Sequence, residues 1–416
     1  MNISSPLVIV RQRVPLLREL PIEVTAISAI AFCVALGFGI VAPVIPAFAR
    51  EFNVSALEAS AVVSVFAGMR LISAPPAAKL LDFFGERRVL SVGLLIVAIS
   101  SALAGLSQTF NQLIVLRGIG GLGSTMFTVA SMALLLRVVD SSQRGRAASA
   151  WSGGFLVGGL AGPAVGGIFA GISLRAPFFV YAFTLLLAAF VSWSSLKHAH
   201  LTEGAEKEVV EKSTSGIQDL IAAFKKRAYI ASISVNFSNG FVRFGLLNAL
   251  APLFVVEALG QSIAMASTGF LLSAIGQALL LSRAGHWTDS WGRKPVLIIG
   301  VLLSTAALTV MAVWEITPAY LFSMFLLGLG GAFLSSAPAA VLGDVTKGHP
   351  RGPVVATYQM SSDFGAIFGP LAGGYLLDQT GLFQTPLLVG AALLALVLIF
   401  VIRMPETIET KLVEKN

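Results

Sequence analysis

The chain has 416 residues, of which 56% are hydrophobic and only 12% charged, with a formal net charge of +7 and a mean hydropathy of +0.85. A soluble domain carries roughly 25% charged residues, and here the charges sit in short clumps between apolar runs of about twenty residues, the length that crosses a ~30 Å hydrocarbon core as a helix. A water-soluble globule is thereby excluded. The basic excess flanks the apolar runs and is not gathered into a nucleic-acid-binding surface. The single cysteine, Cys33, excludes a disulfide framework.

Residues 1–22 carry Arg11, Arg13 and Arg18 and no cleavable apolar core, so the first span is expected to serve as its own uncleaved signal. Twelve helices are predicted, near 24–47, 58–80, 89–107, 111–136, 147–171, 177–196, 228–256, 263–284, 294–314, 318–342, 353–376 and 383–402. An even number puts both termini on one side. Of 28 Lys and Arg, 23 fall in the amino terminus, the even-numbered loops and the carboxyl tail. The odd-numbered loops hold Arg50 and Arg175 alone, so both termini are expected in the cytoplasm of a multi-pass plasma-membrane protein. Pro43 and Pro46 in the first span and Pro252 in the seventh read either as bends at an outer gate or as span ends.

The connection 197–227 is long and charged, and its end, 217–227, has the pattern of an amphipathic surface helix. It divides an amino-terminal bundle, 1–196, from a carboxyl-terminal one, 228–416. Its role is either a plain linker or a regulatory segment. His198 and His200 lie in it without a third ligand, so no metal site is expected there.

The two bundles repeat one another at an offset of 207 positions. Gly154, Gly158, Gly162 and Gly166 recur every fourth residue, one face of a helix, and Ser361, Gly365, Gly369 and Gly373 answer them, with Pro163 matched by Pro370. Such a ridge, with Gly167 beside it, lets another helix backbone approach closely in lipid. Asp82 and Gly85 between spans 2 and 3 are matched by Asp289 and Gly292 between spans 8 and 9, and Arg144-Gly145 by Arg351-Gly352. Shared offsets of this kind are the mark of parallel repeats about an axis along the membrane normal. The fold class expected is an all-α membrane protein of two pseudo-symmetric six-helix bundles.

With these residues in view the chain resembles the major facilitator superfamily over nearly its whole length. The loop motif of that family is matched at Gly285, Asp289, Gly292, Arg293 and Lys294, and in degraded form at Asp82, Gly85 and Arg87, with Ala78 in place of glycine and Glu86 in place of the first basic residue. Arg117, Gly121 and Gly123 resemble its second motif, and Gly158 to Gly167 the motif of its drug–proton antiporters. The resemblance implies a monomeric secondary transporter with no cofactor, protons as the coupling ion, and a small-molecule substrate. Asp289 is expected to meet the start of span 5 near Arg144, and Asp82 the start of span 11 near Arg351, as latches of the outward-open state. Simple loop capping is the alternative.

Four ionisable residues lie inside the spans: Arg70, Arg117, Arg243 and Asp363. Each is costly there, roughly 2.5–3.5 kcal/mol on insertion scales. Their counterparts at the repeat offset are Gln277, Met324, Leu36 and Leu156, so these charges belong to function or to local packing and not to the repeated scaffold. Asn236, Asn239 and Arg243 share a helical face. Asp363, the one carboxylate within a span, is placed to pair with Arg243 or Arg70, either as a static ion pair or as a substrate and proton-coupling site. Arg117 corresponds to an arginine the family uses in proton transfer. Export of amphipathic drug-like compounds is the leading expectation; transport of an organic anion or metabolite, favoured by three arginines against one aspartate, is the second; a non-transporting receptor is the third. No phosphate-cradling loop or catalytic constellation is present, so no enzyme is expected.

Overall fold

The computed structural model describes residues 6–140, 143–196, 216–346 and 352–408. The 197–215 part of the connection, with His198 and His200, and Arg351 lie outside the described residues. Among those described, every regular element is a helix. Eleven are long and apolar enough to cross a membrane, and Gly352–Thr380 is a further helix of 29 residues. The protein is an all-α integral membrane protein.

The long helices are α1 (Ile22–Val41), α2 (Ala56–Phe84), α3 (Glu86–Gly105), α4 (Phe110–Val138), α5 (Arg144–Ile172), α6 (Ala176–Ser195), α7 (Arg227–Ala258), α8 (Ile263–Ser290), α9 (Arg293–Val313), α10 (Thr317–Val345), α11 (Gly352–Thr380) and α12 (Gln384–Arg403). Local chemistry sets several boundaries. Ser55 caps α2 in a reciprocal box: its hydroxyl accepts from the Glu58 amide at 3.2 Å, and its own amide donates to the Glu58 carboxylate at 2.8 Å. The Thr109 hydroxyl caps α4 through the Gln112 amide. Gly85 (φ 75°) joins α2 to α3 and Gly292 (φ 111°) precedes α9, left-handed positions that glycine takes without steric cost. The Pro43–Pro46 segment ends the first span: α1 stops at Val41, and a short helix, Ile45–Arg50, follows the turn. Pro252 is instead accommodated within α7.

Contacts divide the chain into two compact units, one comprising 1–210, 251–256 and 261–271, the other 211–250, 257–260 and 272–416. In the first unit α1 packs along α5. A methyl group added at Gly154, Gly158, Gly162 or Gly166 would fall within 3 Å of backbone atoms of Ser28, Phe32, Gly39 and Ile40 respectively, so the two backbones touch along the whole row. In the second unit α7 packs along α11 in the same way, with Gly365 against Phe237 and Phe241, Gly369 against Phe241, and Gly373 against the Leu246 and Leu250 side chains. Gly245 in turn lies against Pro370. Gly167 stands one position beyond the row.

One feature of α7 has no signal in the sequence. It runs as an α-helix to Asn239, widens to π geometry over Gly240–Leu247, and does so again over Phe254–Ala258. π turns cost hydrogen-bond quality and are found mostly where function requires them.

Candidate functional site

In the second unit the widened stretch of α7 carries Arg243. Its Nη2 donates to Gln277 Oε1 of α8 at 3.1 Å, and its guanidinium occupies the space beside Gly331 of α10, where any side chain would collide with it. Sequence reasoning marks Gln277 only as the counterpart of Arg70; here it is the polar partner that lets a cation stand in the middle of three helices. Asn236, two turns earlier on α7, donates from Nδ2 to the Tyr358 carbonyl at 2.7 Å and to Ser361 Oγ at 3.2 Å. It ties α7 to α11 and is 9% exposed. Asn239 is different: its Oδ1 is buried without a hydrogen-bond partner. A buried acceptor left open costs about 1–3 kcal/mol, which a bound molecule with a donor would recover. Asp363 lies on α11, exposed, within the same unit.

In the first unit Arg117 of α4 is 3% exposed. Its guanidinium carbon stands 4.3 Å from the centroid of the Phe66 ring on α2, a cation–π contact, and its Nε has no hydrogen-bond partner. Tyr181 of α6 is itself 2% exposed. Arg70 of α2 is exposed, and its carbonyl accepts from Thr125 Oγ1 of α4 at 2.8 Å.

The loop motifs form two related charge clusters. In the second unit Arg293 donates from Nε to Asp344 of α10 at 3.1 Å and from Nη1 to Asp289 at 2.9 Å and the Thr288 carbonyl. In the first unit Glu86 pairs with Arg137 of α4. Glu86 and Arg293 are 207 positions apart, and so are Arg137 and Asp344. The same two positions are therefore bridged in both units with the charges reversed. Glu86, which reads from the sequence as a degraded motif, is one half of a compensated exchange.

The remaining motif residues fall as follows. Asp82 is exposed in the last turn of α2, and Asp289 in the last turn of α8 with Gly285 one turn before it. Arg87 ties α3 to the end of α6 by donating to the Trp193 carbonyl at 2.8 Å and stacking over that ring. Arg144 is the first residue of α5.

The tail after α12 completes the second cluster. The Glu406 carboxylate accepts from the amides of Arg293 (2.8 Å) and Lys294 (3.1 Å), the first turn of α9, and from those of Thr407 and Ile408. It fills the space beside Gly292 that a side chain there would need. The Thr407 hydroxyl donates to Asp344 at 2.6 Å. Partial burial pushes the Glu406 carboxyl up, but the four amide donors outweigh it and hold it below the usual range.

Glycine-lined helix pairs and arginines placed inside long apolar helices are the build of a membrane transporter. The family profile described as the Major Facilitator Superfamily matches residues 27–242 and 232–415, and the chain belongs to that superfamily. Among its relatives, Multidrug resistance protein 1 of Bacillus subtilis is 26% identical over 86% of this chain and 90% of its own length. The class B tetracycline resistance protein of Escherichia coli is 26% identical over 81% and 84%. Among solved structures, a bacterial homolog of the human lysosomal transporter Spinster superposes with a TM-score of 0.76 at 16% identity, over 96% of this chain and 97% of that one. The nucleoside transporter NupG gives 0.72 at 13% identity, over 91% and 98%. The chain is a secondary transporter of small molecules, related to multidrug-resistance transporters.

Proposed function

We propose that this transporter exports small amphipathic compounds from the cytoplasm in exchange for protons. Two six-helix halves, 1–196 and 228–416, tilt alternately about a central path, joined by the 197–227 linker, as a monomer with both termini cytoplasmic. The observation that supports this most is the similarity over 86% of the chain to a protein named for multidrug resistance. The intramembrane residues supply the chemistry. Arg117 and Arg243 are cations whose contacts inside their units are an aromatic face and an amide, so each retains capacity for a further anionic or polar partner. Asp363 is the proton carrier in this reading, and Arg70, Asn236 and Asn239 complete the polar lining. Asp82 with Arg351 and Asp289 with Arg144 act as latches between the halves, each worth on the order of 1–3 kcal/mol, enough to bias two conformations without locking one.

A second reading, transport of an organic anion, is favoured by the excess of arginine over carboxylate inside the spans. One experiment separates coupling from structure. In proteoliposomes with an imposed pH gradient, Asp363→Asn is expected to abolish uphill transport and to leave substrate counterflow intact. Normal uphill transport by Asp363→Asn refutes the coupling role. Arg243→Ala then distinguishes cargo: selective loss of anionic substrates supports the second reading, and equal loss for cationic dyes refutes it.

A further inference from the structure

A cavity of about 600 Å³ opens at the basic end of the second unit, where α7 and α9 begin and α10 and α12 end. Four cations line it: Lys226, Arg227, Lys294 and Arg403. The one carboxylate in its wall among the described residues, Asp344, is already engaged by Arg293 and Thr407. Glu406, between the lining residues Pro405 and Thr407, has its carboxylate engaged by the amides at the start of α9. The Lys226 ammonium is pinned by donating to the Val345 carbonyl at 2.8 Å, which keeps it at the wall and leaves two of its protons free. The cavity is thus a cluster of four positive charges without a matching acid among the described residues.

A basic end is expected of any membrane protein on its cytoplasmic side, so the cluster has to be weighed against that simpler cause. The repeat offset does so. The positions in the first unit that correspond to Lys226, Arg227, Lys294 and Arg403 hold Glu19, Leu20, Arg87 and Leu196. Of these Arg87 is consumed by Trp193 and Glu19 by Arg146. The corresponding positions of the first unit therefore carry one cation, Arg87, where the second carries four. The four cations, 177 positions apart at their extremes, are not repeated as a set at the matching positions of the first unit.

We propose that this cavity binds a phosphate-bearing anion. Four helix ends place it at the depth of lipid headgroups, and the exposed Ile402 beside it offers an apolar rim on which a glycerol or acyl stem would rest. The shared chemistry is a phosphoryl group held by ammonium and guanidinium donors. Its source is either the headgroup of an anionic phospholipid or free phosphate. The site goes beyond the transport reading and does not depend on it.

The test uses the full chain, purified in an uncharged detergent, with the melting temperature followed as ligand is added. Phosphatidylglycerol is compared with phosphatidylcholine, and inorganic phosphate with chloride at matched ionic strength. A saturable rise with phosphatidylglycerol alone assigns the site to a lipid headgroup, and a rise with inorganic phosphate as well assigns it to the phosphoryl group itself. Lys294→Gln/Arg403→Gln is expected to move half-saturation up by roughly 30-fold, since each basic residue near a headgroup contributes about fivefold. Lys79→Gln/Arg88→Gln, which removes two exposed cations from the first unit, is expected to leave it unchanged. Should the double variant not purify as a folded protein, Arg227→Gln alone is expected to shift it about fivefold. Absence of a rise in the wild-type protein with either ligand, or equal shifts in the two double variants, overturns the proposal.

Discussion

The reversed ion pairs offer a direct measurement. Arg293 is 13% exposed and Asp344 27%, so water screens this bridge only partly. The second carboxylate on Arg293, Asp289, is 75% exposed and is worth little by comparison. A hydrogen bond between charged groups at this depth contributes about 1.5–3 kcal/mol. Arg293→Glu sets a fourth carboxylate among Asp289, Asp344 and Glu406, and is expected to cost at least that much. Adding Asp344→Arg to the same chain recreates the polarity of Glu86 and Arg137 and is expected to recover half or more of the loss. Full recovery is not expected, because Asp344 also accepts from Thr407. The exchange in the first unit, Glu86→Arg with Arg137→Asp, is expected to recover completely: the new arginine stands four positions after Asp82, the spacing that Asp289 and Arg293 already use. Thermal unfolding read by a thiol-reactive dye suits the assay, since Cys33 is the only cysteine in the chain and is partly buried. The coupling is expected to appear as a few degrees of melting temperature regained in each double variant. If the double variants melt where the summed single losses put them, the pairs do not interact and the compensation is coincidental.

Three further outcomes follow from the geometry. Gly158→Ala is expected to destabilise by about 1–3 kcal/mol through overpacking, because its methyl group meets the α1 backbone, whereas Gly159→Ala, with open space beside it, is expected to be neutral; melting of the two variants decides. Gly292→Ala is expected to lower stability more than Gly85→Ala: both force a side chain into a left-handed backbone, about 1–2 kcal/mol, but only the former also displaces Glu406. Glu406 binds its proton less tightly in the folded chain, so its contribution is complete above the ordinary glutamate range near pH 4.3 and fades as the pH falls through its lowered folded value. Glu406→Gln is therefore expected to melt lower than wild type at pH 7 and to converge with it only once the pH has fallen below the lowered folded value.

Much of the scaffold was legible because it is written in periodic residues. The apolar runs, the fourfold glycine spacing and the 207-residue offset each follow from a rule about helices in lipid, and the helices stand close to where these rules put them. What was not legible depends on contacts distant in sequence. The partner of Glu86 lies 51 positions on and the partner amides of Glu406 more than a hundred positions back, so a motif looked degraded and a tail looked idle. The offset itself would have exposed the first: laying 86 and 137 over 293 and 344 shows the charges exchanged. The widening of α7 around Arg243 is harder to read: Gly240 and Gly245 weaken the helix there, but glycine in a span equally serves close packing, and the contacts to Gln277 and Gly331 lie far off in sequence.

The bare faces of α5 and α11 also set a limit on movement. Where two backbones touch with no side chain between them, neither helix can rotate or slide without driving carbonyls into its neighbour. α1 with α5, and α7 up to Leu250 with α11, are expected to travel as twin rods during a transport cycle. Flexing is left to the partners joined through replaceable side chains, and a cross-link placed within a twin rod should be harmless where one placed across such partners would stall the cycle.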